Sequence, residues 1–274
     1  MRLFAVVAAI AFAALSTPAT ALEKIEFGVG EYRLNAVLFR PAGEGPFPAV
    51  VALHGCDSLL EADGQVRPKY RAWADLLSAK GFAVLYPDSF GSRGLNSQCH
   101  VRSRTVQPFR ERVADAKAAR QWLQEQAWTQ KDRVSLLGWS NGAIAALWTV
   151  RPQAAVKDEN PDFRSAVVLY PGCRRLSNAA WSTRIPTLLL LGAADNWAPA
   201  RDCEQMAAGA RGRSARVSVV KYADAHHGFD LPDVMPHLRR GLAFTPDGSG
   251  RAIIGSNAQA RNDALRRAPE WLAR

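Results

Sequence analysis

Short runs of consecutive apolar residues recur along the chain, separated by longer segments of mixed polarity. Ala49-Val50-Val51-Ala52-Leu53, Phe82-Ala83-Val84-Leu85-Tyr86, Arg133-Val134-Ser135-Leu136-Leu137, Ala166-Val167-Val168-Leu169-Tyr170 and Thr187-Leu188-Leu189-Leu190-Leu191-Gly192 each read as a buried strand. Arg216-Val217-Ser218-Val219-Val220-Lys221-Tyr222 alternates, as a strand half-covered by protein does. Residues 25–29 and 35–40 read as an opening antiparallel hairpin, closed off by the Pro- and Gly-rich turn at 41–48. The mixed segments at about 69–80, 110–127 and 257–272 read as helices, and a long loop is expected over 87–108. Strands alternating with helices predict a mostly parallel sheet covered on both faces. No repeat, low-complexity tract or linker divides the chain, so one α/β domain is expected over 22–274, with no large lid domain.

One strand leads into a motif. After Arg133–Leu137 comes Gly138-Trp139-Ser140-Asn141-Gly142, and then the small apolar segment Ala143-Ile144-Ala145-Ala146-Leu147-Trp148, read as a helix packed close to the sheet. A serine on so sharp a strand-to-helix turn is lifted clear of the sheet, and the turn leaves no room for side chains two residues before or after it. The five-residue motif is weak alone; the flanking strand and helix give it weight.

A serine hydroxyl is a poor nucleophile at neutral pH unless a histidine takes its proton and a carboxylate orients that histidine. Both types follow in order. Asp195 comes just after the strand at 187–192, and His226-His227 come just after the strand at 216–222. Serine, acid, histidine is the chain order of the α/β-hydrolase fold, in which the site sits at the carboxyl ends of the strands.

The segment Tyr222-Ala223-Asp224-Ala225-His226-His227-Gly228-Phe229 resembles the histidine loop of the dienelactone hydrolase family. His54-Gly55-Cys56 and Tyr86-Pro87-Asp88-Ser89-Phe90 are similar to other segments of that family, and the resemblance extends from about residue 22 to 274. It implies a single α/β-hydrolase domain that cleaves small esters or lactones, with His227 rather than His226 as the base. Dienelactone hydrolases proper carry a cysteine nucleophile and a glutamate near the loop that here reads Leu53-His54-Gly55. This chain has Ser140 and no glutamate there, so a serine esterase mechanism is expected.

The expected catalytic set is therefore Ser140 as nucleophile, His227 as general base and Asp195 as its orienting acid, with Asp202 or Asp224 as alternatives. The oxyanion donors are expected to be the backbone N–H of Asn141 and that of Cys56, with Gly55 the alternative to Cys56. His54, Arg93, Trp139, Trp197 and His226 are the side chains expected around a substrate pocket. Arg93, Arg102, Arg104 and His100 crowd the loop at its mouth, as a carboxylate-bearing substrate would favour.

Met1-Arg2, an unbroken apolar run from Leu3 to Leu15 and the small residues Ala19-Thr20-Ala21 have the form of a secretory signal peptide, expected over 1–21. That run is too short to span a bilayer, and no second one is long enough, so an exported protein without a membrane anchor is expected, periplasmic or extracellular. Export turns four cysteines into an expected pair of disulfides. Four cysteines allow three pairings. Cys173 and Cys203 follow strands expected to be neighbours, which favours that pair and leaves Cys56 with Cys99. No spacing resembles a metal site, and no cofactor is expected. The net charge of +10 comes without a basic stripe interleaved with aromatics, so no nucleic-acid partner is expected. The expected function is hydrolysis of a small carboxylic ester or lactone. The alternatives are cleavage of a short-peptide amide, as in prolyl oligopeptidase-like proteins, or a catalytically idle module that binds a ligand.

Overall fold

The computed structural model describes residues 21–152 and 160–274. But for Ala21, the leader expected at 1–21 lies outside the described residues. An antiparallel pair opens the fold, β1 (Ala21–Val29) and β2 (Tyr32–Arg40). Six further strands follow: β3 (Phe47–Leu53), β4 (Ala83–Pro87), β5 (Thr129–Trp139), β6 (Ala166–Leu169), β7 (Thr187–Gly192) and β8 (Val217–Tyr222). They form one eight-stranded sheet in the order β1-β2-β4-β3-β5-β6-β7-β8. β2 pairs antiparallel with β4, and every pairing from β4 to β8 is parallel. This is the mostly parallel sheet of the α/β-hydrolase fold, as the alternating pattern predicts.

The helices explain why the central strands are apolar at every position. α2 (Glu111–Glu125), α3 (Asn141–Thr149), the short α4 (Arg174–Asn178) and α5 (Ala200–Gly209) cover one face. There Ala49, Val51 and Leu53 of β3 meet Ala116, Leu123, Ala146 and Cys203. α1 (Pro68–Ala79) and α6 (Ala258–Leu272) cover the other, where Val50 and Ala52 meet Trp73, Leu77 and Ala264. Successive residues of one strand thus point into two different cores, and neither set tolerates a polar side chain. Local chemistry sets the helix ends: Pro68 occupies the first turn of α1, and the Asn257 side chain accepts the Ala260 N–H at 3.0 Å to cap α6. A two-stranded ribbon, β9 (His237–Arg239) with β10 (Ala252–Ile254), lies between β8 and α6 in sequence. It touches the site through a bridge from Ile254 to His227.

Two disulfides join Cys56 to Cys99 and Cys173 to Cys203. Among the described residues no helix is long and apolar enough to cross a membrane. The two disulfides are compatible with an exported protein.

Candidate active site

β5 ends at Trp139 and α3 begins at Asn141, so Ser140 alone makes the turn between them. Its backbone pays the conformational cost, with φ 51° and ψ −114°, a region that residues with a side chain rarely occupy. The flanking glycines are required by contact. A Cβ on Gly142 would lie 2.0 Å from the Leu53 carbonyl oxygen, and one on Gly138 would lie 2.6 Å from the Gly142 carbonyl oxygen. The strained turn presents Ser140 Oγ 3.0 Å from His227 Nε2.

His227 follows β8, and its Nδ1 lies 2.8 Å from Asp195 Oδ2. The hydrogen-bond pattern assigns the proton to Nδ1 and leaves Nε2 to accept from the serine. Asp195, just past β7, is itself fixed: its Oδ1 accepts the N–H groups of Trp197 at 2.9 Å and Ala198 at 2.8 Å. The imidazole is held between two rings, with centroids 4.6 Å away for Trp197 and 4.7 Å for Tyr170. His226 points elsewhere, its Nδ1 donating to the Ala194 carbonyl at 2.9 Å. Asp202 lies on α5 beside Arg201, at 3.7 Å, and it is Asp195 that takes Nδ1 of the imidazole.

The loop after β3 approaches Ser140 from the other side. The Gly55 N–H donates to Tyr70 Oη at 2.7 Å, so Gly55 has no free donor and the next N–H, that of Cys56, is the one this loop can offer. Cys56, Ser140 and His227 line the same two hollows. The narrower, about 40 Å³, also touches Lys69, Tyr170 and Arg239. The wider, about 230 Å³, reaches Arg104, Phe109, Trp148 and Phe244. A larger hollow of about 550 Å³ between α5 and the edge strand β8 contains none of these residues.

Of the five side chains expected around the pocket, Trp197 alone lines these hollows. His54 is fully buried, with Nδ1 donating to the Gly55 carbonyl at 2.8 Å. Burial, reinforced by the nearby Arg112 cation, holds its pKa well below the usual histidine value, so the ring is neutral. Arg93 is turned away from the mouth by Asp115, a carboxylate on α2 that grips its guanidinium at 2.7 and 2.9 Å. Trp139 lies beneath the serine turn and donates to Asp230 at 2.8 Å, and His226 is held at Ala194.

Two features were not anticipated from the sequence. Arg112, fully buried, donates to Asn141 Oδ1 at 2.7 Å and to the His54 carbonyl at 2.8 Å, so one guanidinium ties the serine turn to the loop after β3. Its placement on α2 in line with buried Ala116, Ala119 and Leu123 is the signal that marks it as inward-facing. The second is Asp230, a buried carboxylate that accepts from Trp73 and Trp139 at 2.8 Å each and from Tyr170 Oη at 2.5 Å. It anchors the tyrosine that packs on the His227 ring. Among the described residues, no group of three or more His, Cys, Asp or Glu is arranged to hold a metal ion.

A sheet of this order, a strained serine turn and a hydrogen-bonded serine–histidine–aspartate chain at the strand ends together define an α/β hydrolase. The chain belongs to the dienelactone hydrolase family, whose profile matches residues 34–274. Similar solved structures include a dienelactone hydrolase-like promiscuous phosphotriesterase from metagenomic libraries, 18% identical, with a TM-score of 0.71 over 93% of this chain and 98% of that one. Esterase 2 of Thermogutta terrifontis is 18% identical, with a TM-score of 0.62 over 94% and 95%. The acylaminoacyl peptidase of Pyrococcus horikoshii is 15% identical, with a TM-score of 0.66 over 95% of this chain but 42% of that one. At these identities the likeness is one of fold. A comparison with curated protein sequences gives no significant match.

Proposed function

We propose that this hydrolase is an exported serine esterase that cleaves a small carboxylic ester or lactone through an acyl-enzyme on Ser140. The observation that carries the proposal is the unbroken hydrogen-bonded chain from Ser140 Oγ through His227 to Asp195, built on a serine held in a strained backbone conformation. In the reaction Ser140 Oγ attacks the carbonyl carbon while His227 Nε2 takes its proton, and the oxyanion that forms is met by the N–H groups of Asn141 and Cys56. The tetrahedral intermediate collapses, the ester C–O bond breaks, and the protonated imidazole gives its proton to the departing alkoxide. Water then adds to the acyl carbon with His227 again as base, and the acid leaves. Asp195 holds the imidazole in the tautomer this needs. No metal or cofactor has a part in these steps. The mature domain of the proposal is 22–274, freed of its leader, and its two disulfides favour an oxidising compartment.

The test is turnover of matched p-nitrophenyl esters and p-nitroanilides by the purified protein and by Ser140→Ala. The proposal expects ester turnover that the substitution abolishes. Amide turnover equal to ester turnover would shift the function to a peptidase, and no turnover of either would favour a binding module.

A further inference from the structure

The wider hollow at Ser140 is walled by rings: Phe109, Trp148, Trp197 and Phe244. A cavity of about 150 Å³ already accepts benzene. At about 230 Å³, this one has room for a single six-membered ring with one substituent beyond its reacting group. The narrower hollow, about 40 Å³, has room for little more than a small alcohol.

Two cations line the cleft against this wall, and a third, Arg151, stacks on Trp148 at 4.5 Å without entering the lining. The Arg175 guanidinium lies 3.8 Å from the Phe109 ring centroid, and that of Arg104 lies 4.7 Å from Phe244. Arg93 has Asp115 and Arg184 has Asp162, whereas Arg151 beside Trp148 donates to the Ala179 carbonyl. Arg104 donates through Nε to the carbonyls of Gln98 and Val101, and among the described residues no carboxylate pairs with it or with Arg175. Partial burial pulls the Arg104 pKa down to about 10, so it remains a cation at neutral pH with its field incompletely compensated. An anion in the cleft offsets that.

Phe244 adds an independent observation. It is 56% exposed and holds a φ of 61°, a strained conformation for an aromatic residue. Its neighbour Ala243 keeps it there, donating its N–H to the Cys99 carbonyl at 2.8 Å and accepting the Trp197 indole N–H at 3.1 Å. Strain of this kind persists where the surroundings over-determine it, and it gathers at ligand clamps. The half-exposed ring lines the cleft with the Arg104 guanidinium over it.

We infer that this cleft is a subsite for an arene bearing a carboxylate, so that the preferred substrates are small-alcohol esters of aromatic acids with a second, free ring carboxylate, such as monoesters of benzenedicarboxylic acids. The inference rests on the Ser140 reading above. The arene stacks among Phe109, Trp148 and Phe244, continuing the arginine–ring stacks already present, and its carboxylate takes the open guanidinium forks of Arg104 and Arg175. Hydrolysis breaks the ester C–O bond and consumes one water. It gives the small alcohol and a benzenedicarboxylate, with one proton released to solvent.

The experiment compares kcat/KM of the full chain for methyl benzoate, dimethyl terephthalate, monomethyl terephthalate and monomethyl isophthalate. The better monoester is expected to exceed both uncharged esters at least tenfold, chiefly through KM. Arg104→Gln and Arg175→Gln are each expected to bring that ratio toward one. Arg71→Gln removes a surface charge on α1, where Arg71 pairs with Asp75, and is expected to keep the ratio. Uncharged esters turned over as well as the monoesters would overturn the inference, as would a ratio indifferent to both cleft arginines. If an arginine variant does not fold, the ratio in the unmodified protein still decides. Absence of all ester turnover, together with an unreactive Ser140, would instead refute the esterase itself, a result distinguishable from loss of selectivity alone.

Discussion

Arg112→Met removes the guanidinium that joins the two segments bearing the proposed oxyanion donors. Arg112 lies in no hollow lining Ser140, so it acts through what it positions. Two charge-assisted hydrogen bonds disappear, each worth about 1.5–3 kcal/mol. Against this, the buried cation no longer has to be desolvated, a penalty of several kcal/mol for an ion. That penalty shows in its pKa, which burial draws down to about 10. The two effects largely cancel, and a net stability loss of about 1–3 kcal/mol is expected. Activity has no such offset. Removing one oxyanion donor outright costs about 10²–10³ in kcat, and here the donors are displaced rather than deleted, so a fall of about 10- to 100-fold is expected. KM should stay within about threefold, because the donors act on charge that develops after binding. The assay is steady-state hydrolysis of a p-nitrophenyl ester, with the melting temperature read in parallel. Arg112→Lys keeps the charge and one contact, and should recover part of kcat. A Met variant with a lowered melting temperature and an unchanged kcat would reduce Arg112 to a structural residue and refute the reasoning.

Reduction of Cys56–Cys99, or its replacement by serines, should lower both kcat and the melting temperature, since it ties the Cys56 donor to the loop forming the wall of the cleft. Loss of the Cys173–Cys203 pair should lower the melting temperature alone. Sequence separations of 43 and 30 residues place each at roughly 4 kcal/mol on the chain-entropy account, and equal effects on kcat would contradict the distinction. His54 is held neutral by burial, so between its lowered pKa and the ordinary value near 6.5 the unfolded chain takes up a proton that the folded chain refuses. Its contribution is complete above pH ~7 and is lost as pH falls, at up to about 1.4 kcal/mol per pH unit. His54→Asn should flatten the denaturation midpoint between pH 7 and pH 5, and an unaltered slope would count against this. Asp195→Asn keeps an acceptor for the Trp197 and Ala198 N–H groups but presents a donor to His227 in the wrong sense, and a loss of about 10⁴ in kcat is expected. A loss under tenfold would remove Asp195 from its role.

The central strands were legible because each side of each strand enters a core, which leaves an apolar run with no interruption. α4, with five residues, and β9 and β10, with three each, are too short to display a period. The order serine, acid, histidine was legible because each residue directly follows a strand. The lining of the cleft was not. Trp139 adjoins Ser140 in sequence, yet the strand's alternation sends its ring into the core shared with α1 and α6, while the serine turns outward. Arg93 was expected at the mouth because nothing local announces Asp115, 22 residues further on. The cluster of Asp230 with Trp73, 157 residues away, and with Trp139 and Tyr170 exists only once four segments have been brought together.

The most direct measurement is fluorophosphonate labelling of the folded protein, with the modified peptide mapped by mass. The account predicts one phosphonyl group, on Ser140, absent from Ser140→Ala and strongly reduced in His227→Ala but not in His226→Ala. A folded protein that takes no label, or takes it at another residue, would contradict the claim that Ser140 is an activated nucleophile.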